Sequence, residues 1–315
     1  MASVYVKEET LPRAWESAVL KTWKEGDENR TEYDKPNDPA SRDANAFIHV
    51  INPFQEPRIH RAIPGGLEEL ESYRLEVIEG IHDHWIPRGA YDTITKLGKK
   101  TRHGIPSTDT DRKALKNPDF QKWSYTYHQR LFAYETPDGQ QTNQFGEALE
   151  KLVESPHSRR AVISLLKPWG DIFHHDPPCL NLVAFRIFEN ELRMHVTMRS
   201  NDAFKALFMN MWAFTDLQRK ASEELTKRLD RQIIPGEYTQ NSISLHIYGS
   251  YFDEFSKFLE TLEKRKFEER VWDSSSELVQ QCFAEARKLE LQREGDKELP
   301  PEKKAAVLRY ISREE

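Results

Sequence analysis

The stretch CLNLVAFRIFENELRMHVTMRSND, residues 179–202, decides the fold. Two apolar runs, 180–188 and 191–200, flank the polar pair Glu189-Asn190, the pattern of a β-hairpin. Upstream, AVISLL (161–166) adds a strand, and a helix is predicted over 143–154, ending before Pro156. Downstream, a long apolar helix is expected over about 203–227, followed by a strand through SISLHIY and a helix. Nearer the N-terminus, AFIHVINPF (46–54) reads as a strand, and Leu67, Leu70, Val77, Ile78 and Ile81 recur at helical spacing. This irregular alternation predicts an α/β (or α+β) fold built on a single large mixed β-sheet covered by helices.

Outside that body the sequence changes character. Residues 1–45 are expected to form an N-terminal helix, with Leu11, Trp15, Val19, Leu20 and Trp23 on one face, followed by a long polar loop over 25–43. The basic, glycine-containing region 95–121 reads as a loop or flap. From 263 to 315 the chain is charged and predicted to be a mostly helical extension, leaving 46–262 as the central domain. With 46 basic and 52 acidic residues, the net charge of −6 offers no general grip on a nucleic-acid backbone, so none is expected as a partner. No apolar run reaches the roughly 18 residues of a membrane span, so no membrane partner is expected. Two cysteines, Cys179 and Cys282, cannot build a disulfide framework, and a cytoplasmic setting is expected.

The chemistry centres on Cys179, placed by Pro177-Pro178 at the entrance of a strand. A hairpin would return Arg199 and Ser200 to its neighbourhood, where a guanidinium favours the nucleophilic thiolate. Ser158-Arg159-Arg160 forms a second cluster suited to phosphate oxygens, because the arginine fork matches them bidentately. A thiol among arginines describes a nucleophile acting on a phosphorylated substrate. His174, His175, Asp176 and Cys179 also lie within six residues, but no second ligand pair stands at metal-site spacing, so no metal is expected.

SRR (158–160), PPC (177–179), RSND (199–202) and HIY (246–248) together resemble the thymidylate synthase family, which includes the pyrimidine-nucleotide (dCMP, CMP) hydroxymethylases. The resemblance implies a thymidylate synthase-like catalytic domain whose sheet packs against its copy in a homodimer. It implies methylenetetrahydrofolate as one-carbon donor and a pyrimidine nucleoside monophosphate (dUMP, dCMP or CMP) as substrate. Cys179 would add to C6 of the ring; Arg199 and Ser200 would hold the phosphate, with Arg159 and Arg160 reaching across from the partner. Asn210 would read the base, His246 and Tyr248 hold the sugar, and Asp202 face the pterin. Tyr125 or Tyr127 would match the tyrosine near proton abstraction. Glu76, with Glu79 as the other choice, would be the acid/base on the helix before Gly80.

Some positions depart from the family pattern. Leu180 replaces a histidine, Met198 a glutamine and Ser244 an aspartate, and Lys205-Ala206-Leu207-Phe208-Met209-Asn210 replaces Leu-Gly-x-Pro-Phe-Asn. The final RYISREE lacks the apolar terminus that shields the methylating enzymes from water, which favours a hydroxymethyl product. Asn210 instead suits uracil. Methylation of dUMP is therefore narrowly preferred, with (d)CMP hydroxymethylation as the alternative and a non-catalytic nucleotide- or RNA-binding relative as a third reading.

Overall fold

The structure, a computed structural model, describes residues 1–103, 108–117, 120 and 124–295. Its main strands are β1 (Ala2–Glu8), β2 (Ser41–Val50), β3 (Val162–Ser164), β4 (Leu180–Phe188), β5 (Glu191–Met198) and β6 (Ile234–Ile247). They lie side by side in the order β1-β2-β6-β5-β4-β3. β1 runs parallel to β2 and β6 parallel to β5, whereas β2–β6 and β4–β5 are antiparallel. The expected mixed sheet is present. The β4–β5 hairpin turns where expected, with Glu189 at φ 55°.

The described helices are α1 (Leu11–Glu25), α2 (Gly66–Glu79), α3 (Ala90–Arg102), α4 (Asp109–Leu115), α5 (Tyr127–Phe132), α6 (Gln144–Glu154), α7 (Leu207–Leu229), α8 (Phe252–Lys264) and α9 (Glu277–Gly295). Contacts group the chain into two units. The first holds Met1–Arg74, Glu147–Ile163 and Cys179–Arg287; the second holds Leu75–Gly146, Ser164–Pro178 and the chain from Lys288. The sheet and its helices make up the first. Its core centres on the fully buried Trp15 of α1, whose ring meets Phe204, Phe208 and Phe258 at centroid separations of 5.4–6.3 Å. Its indole Nε1 donates to the Ala203 carbonyl (2.9 Å), and the Ala203 N–H donates to the carbonyl of His246 (2.8 Å). α1 therefore braces the turn that carries Asp202.

Several expectations change. Residues 2–8 form a strand, because alternating burial of Val4 and Val6 against β2 is worth more than their polar neighbours suggest. β2 begins at Ser41, not 46, and Asp27–Asn29 pairs with Ser41–Asp43 inside the expected loop. In the second unit, the expected 95–121 loop is occupied by α3 over 95–102 and by α4 over 109–115, while 104–107, 118–119 and 121 lie outside the described residues. α3 buries Ala90, Ile94 and Leu97, and Gly98 is a packing residue: a Cβ there would lie 2.1 Å from the Phe173 carbonyl oxygen. α7 starts at Leu207, four residues later than expected. The RYISREE segment lies outside the described residues.

Gly80 ends α2 with φ +66°, and a Cβ on it would sit 2.3 Å from His128 Nδ1, which is itself held by Asp83 Oδ2 at 2.6 Å. Gly80→Ala is expected to destabilise the protein by about 2 kcal/mol, from left-handed backbone strain plus the displaced imidazole. Urea unfolding measures it.

Candidate active site

Cys179 stands half-exposed at the mouth of β4, and the Arg199 N–H, just past β5, donates to its carbonyl at 2.9 Å. Leu180 faces Met198 in the ladder, so the open end of the hairpin holds Cys179 and Arg199 side by side. The Arg199 carbonyl then accepts from Ser244 N (3.2 Å), while Asn201-Asp202 pairs in parallel with Leu245-His246. Three chain segments thus deliver Cys179, Arg199, Asp202, His246 and Tyr248 to one end of the sheet. Ser200 is half-buried between Arg199 and Asn201.

The electrostatics tie these groups together. Burial pushes the Asp202 carboxyl above its ordinary range, against the N–H groups of Lys205 and Phe204, which donate to Oδ1 at 2.9 and 3.0 Å, and against His246. Burial holds His246 below the usual imidazole value, with Asp202 and Asp43 opposing and Arg199 reinforcing the shift. His246 is therefore a neutral hydrogen-bonding group near pH 7. Its ring lies 4.6 Å from that of Tyr248 at 72°. Burial raises Tyr248 well above the phenol range, with Asp202, Tyr33, Tyr251 and Cys179 adding to the effect. Ser244 replaces the family's aspartate, but its Oγ donates to Asp43 Oδ1 (2.9 Å) and lies 3.2 Å from His246 Nδ1. Asp43 sits opposite His246 on β2, so a neighbouring strand supplies the carboxylate.

Asn210 projects from the first turn of α7, and its amide is pinned. The Tyr73 hydroxyl donates to Oδ1 at 2.5 Å, and Nδ2 donates to Asn201 Oδ1 at 3.0 Å. Asn201 Nδ2 in turn donates to Met198 Sδ (3.3 Å). A thioether only accepts, so it orients Asn201 and through it Asn210, which among the described residues keeps one N–H and one lone pair to meet a ligand. Met198 and Asn201 acquire a role that the sequence did not disclose, and Tyr73 escaped notice because α2 shows only its apolar periodicity.

Arg159 and Arg160 are exposed. The adjacent Ala161 carbonyl accepts from Phe185 N (2.9 Å), six residues along β4 from Cys179. At 3.3 Å per residue that is about 20 Å, beyond the reach of an arginine side chain from the same protomer.

Glu76, Tyr125 and Tyr127 belong to the second unit. Glu76 Oε2 lies 2.7 Å from His82 Nδ1, and Glu290 Oε2 3.3 Å from His82 Nε2. On α2, Glu76 is half-buried and Glu79 exposed. Burial works against a charged His82, but Glu76 and then Glu290 outweigh it and raise the imidazole above its ordinary value. The stability from this cluster is thus full below the unfolded-state value near 6.5 and is lost as pH rises through the raised native value. Glu76→Gln should lower the His82 titration midpoint, read by NMR. Tyr125 and Tyr127 lie 6.3 Å apart, and the Arg130 guanidinium sits 5.3 Å over the Tyr125 ring. His174 is buried, 3.0 Å from Thr95 Oγ1, and burial pushes it down to about 4. Among the described residues no three His, Cys, Asp or Glu side chains are grouped to hold a metal, and no helix is long and apolar enough to cross a membrane.

A family profile described as thymidylate synthase matches residues 81–290, which spans the hairpin and every site segment from Arg159 to Tyr248. The chain belongs to the thymidylate synthase family. A Methanocaldococcus jannaschii protein carried under the provisional name thymidylate synthase is 34% identical over 179 residues, 53% of this chain and 78% of the relative. A similarly named Methanosarcina mazei protein is 29% identical over 142 residues, 45% of this chain and 61% of the relative. The thermostable thymidylate synthase A of Bacillus subtilis shares the fold, with TM-score 0.52 at 18% identity over 80% of this chain and 84% of that one. Membership makes the protein a folate-dependent C5 transferase. Thymidylate synthase family members act on pyrimidine monophosphates, use methylenetetrahydrofolate and are typically dimeric.

Proposed function

We propose that this protein transfers a one-carbon unit to C5 of a pyrimidine nucleoside 5′-monophosphate through a covalent bond from Cys179 to C6, with methylation of dUMP as the reaction. The observation that carries this reading is the 2.9 Å bond from Arg199 N–H to the Cys179 carbonyl, which holds the main chain of the arginine expected to bind phosphate beside that of the expected nucleophile. A phosphate held by Arg199 and Ser200 orients the ring, so that the sulfur meets C6 as in an intramolecular reaction. Sγ bonds to C6, and the C5=C6 electron pair moves onto C5 and O4, making C5 the nucleophile. Neutral His246 and Tyr248 hold the sugar, and Asn210 reads the base with its remaining donor and acceptor. Loss of the C5 proton to a base and departure of Sγ restore the ring. Glu76 is assigned the acid/base role on the resemblance of the helix before Gly80, with Tyr125 or Tyr127, which lie within the family match, assisting.

Methylenetetrahydrofolate, when bound, would supply both the methylene carbon and the hydride that reduces it to a methyl group, leaving as dihydrofolate. Asp202 suits its pterin: Oδ1 is taken by two backbone N–H groups, while Oδ2 accepts no hydrogen bond among the described residues and is available to ring N–H donors. A homodimer is favoured because Arg159 and Arg160 are too distant to serve their own Cys179. The sheet also exposes Tyr5, Phe47, Val162 and Ile243, apolar groups suited to a second copy. The domain scheme proposed is a catalytic body at 46–262 with flanking segments 1–45 and 263–315, and the cellular setting proposed is the cytoplasm.

Incubation with dUMP, UMP, dCMP and CMP in turn, with the cofactor, tests the reaction. The expected product is dUMP heavier by one CH2. A cytosine nucleotide heavier by one CH2O would instead establish hydroxymethylation.

A further inference from the structure

A cavity of about 350 Å3 in the first unit is lined by Arg58, Arg74, Arg219 and Arg287 together with Trp212 and Ser274. It is distinct from the nucleotide site. On α7, Trp212, Asp216 and Arg219 follow Asn210 by two, six and nine residues, which at 100° per residue places them about 180–240° around the helix from the base reader.

Two carboxylates, Glu71 and Asp216, also line the cavity, and both are engaged. Glu71 binds Arg74 (2.8 Å) and Arg287 (2.8 Å), and Asp216 binds Arg74 (2.8 Å) and Arg219. Arg58 is different. It lies between the rings of Trp212 (4.4 Å) and Phe54 (4.7 Å) and donates to the Pro53 carbonyl (3.1 Å) and Thr215 Oγ1 (3.4 Å). Among the described residues it makes no ion pair, and the nearby Glu56 carboxylate accepts instead from Arg58 N and Ser274 N at 2.9 Å. Burial lowers the Arg58 guanidinium to about 10, an indication that its charge is poorly solvated. Trp212, 5% exposed, has a buried Nε1–H without an acceptor among the described residues. A buried donor of this kind costs free energy unless something accepts from it. Four guanidinium groups against two carboxylates, with a desolvated cation and an orphan N–H on one wall, is the chemistry of an anion site.

We propose that this cavity binds a phosphoryl dianion, held by Arg58 and the Trp212 Nε1–H, as a second site apart from Cys179. Arg74 touches this cavity and its neighbour Tyr73 pins Asn210, so an occupant that draws Arg74 from Asp216 would bear on base reading.

The test uses the full chain carrying Arg199→Ala, which removes one of the expected nucleotide-phosphate ligands, titrated with inorganic phosphate by calorimetry. Saturable binding is expected, weakened about tenfold by adding Arg58→Gln and about fivefold by adding Trp212→Phe, which keeps the ring but removes the donor. Circular dichroism checks folding; should Arg58→Gln unfold the chain, Trp212→Phe decides alone. A parallel titration with dUMP assigns the site to a nucleotide if dUMP binds more tightly than inorganic phosphate and the same cavity substitutions weaken that binding, and to free phosphate if not. Absence of saturable phosphate binding, or binding indifferent to the cavity substitutions that fold, overturns the proposal.

Discussion

Cys179→Ser is expected to lower turnover by at least about a thousandfold while leaving nucleotide affinity within a few-fold of the unmodified protein. The substitution changes one atom at the half-exposed mouth of β4 and leaves the Arg199–Cys179 backbone bond intact, so the phosphate seat survives. The serine hydroxyl ionises far less readily than a thiol, and it receives no compensating base in this arrangement. Steady-state kinetics and equilibrium dialysis separate the two effects. Loss of binding together with turnover would give Cys179 a structural role, and near-normal turnover would remove it from the chemistry.

The second large effect concerns stability. Asp171→Ala should destabilise the second unit by about 3–5 kcal/mol, because it strands the Arg130 guanidinium in the interior. Both side chains are 3% exposed; Arg130 Nη2 and Nη1 meet the carboxylate at 2.8 and 3.1 Å. Asp171 also accepts from Lys167 N (2.6 Å) and the Tyr91 hydroxyl (2.9 Å), so the substitution orphans donors on three sides. Lys167 is already lowered to about 8 by burial and by Arg130, and it should fall further once Asp171 is gone. Replacing Arg130 by Met and Asp171 by Leu together should recover much of the loss, since no uncompensated charge remains. Chemical denaturation of the three variants measures this. A single-variant loss below about 1 kcal/mol would mean that water reaches the pair.

The hairpin from Leu180 to Met198 was legible because its apolar runs and its Glu189-Asn190 turn are local signals, and with it came the juxtaposition of Cys179 and Arg199. α1, α6 and α8 were equally readable, each with a clear apolar stripe. Other features depend on partners distant in sequence. β1 is a strand because β2 lies beside it, and Gly98 sits within a helix because Phe173 packs on it. The departure at Ser244 gave no hint that Asp43, two hundred residues earlier, would face His246. Tyr73 carries no motif, and only the fold reveals that it fixes Asn210. Family likeness supplied the roles, while the structure supplied the hydrogen bonds that make Cys179, Arg199, Asp202 and His246 one constellation.

The central claim is that Cys179 forms a bond to the pyrimidine ring. Denaturing mass spectrometry after incubation with 5-fluoro-dUMP and methylenetetrahydrofolate tests it most directly, since fluorine at C5 blocks the proton loss that would release the sulfur. A covalent adduct of protein, nucleotide and cofactor is expected, mapping to the peptide that contains Cys179 and absent from Cys179→Ser. Unmodified protein with this and every other 5-fluoropyrimidine nucleotide, or an adduct on another residue, would contradict it.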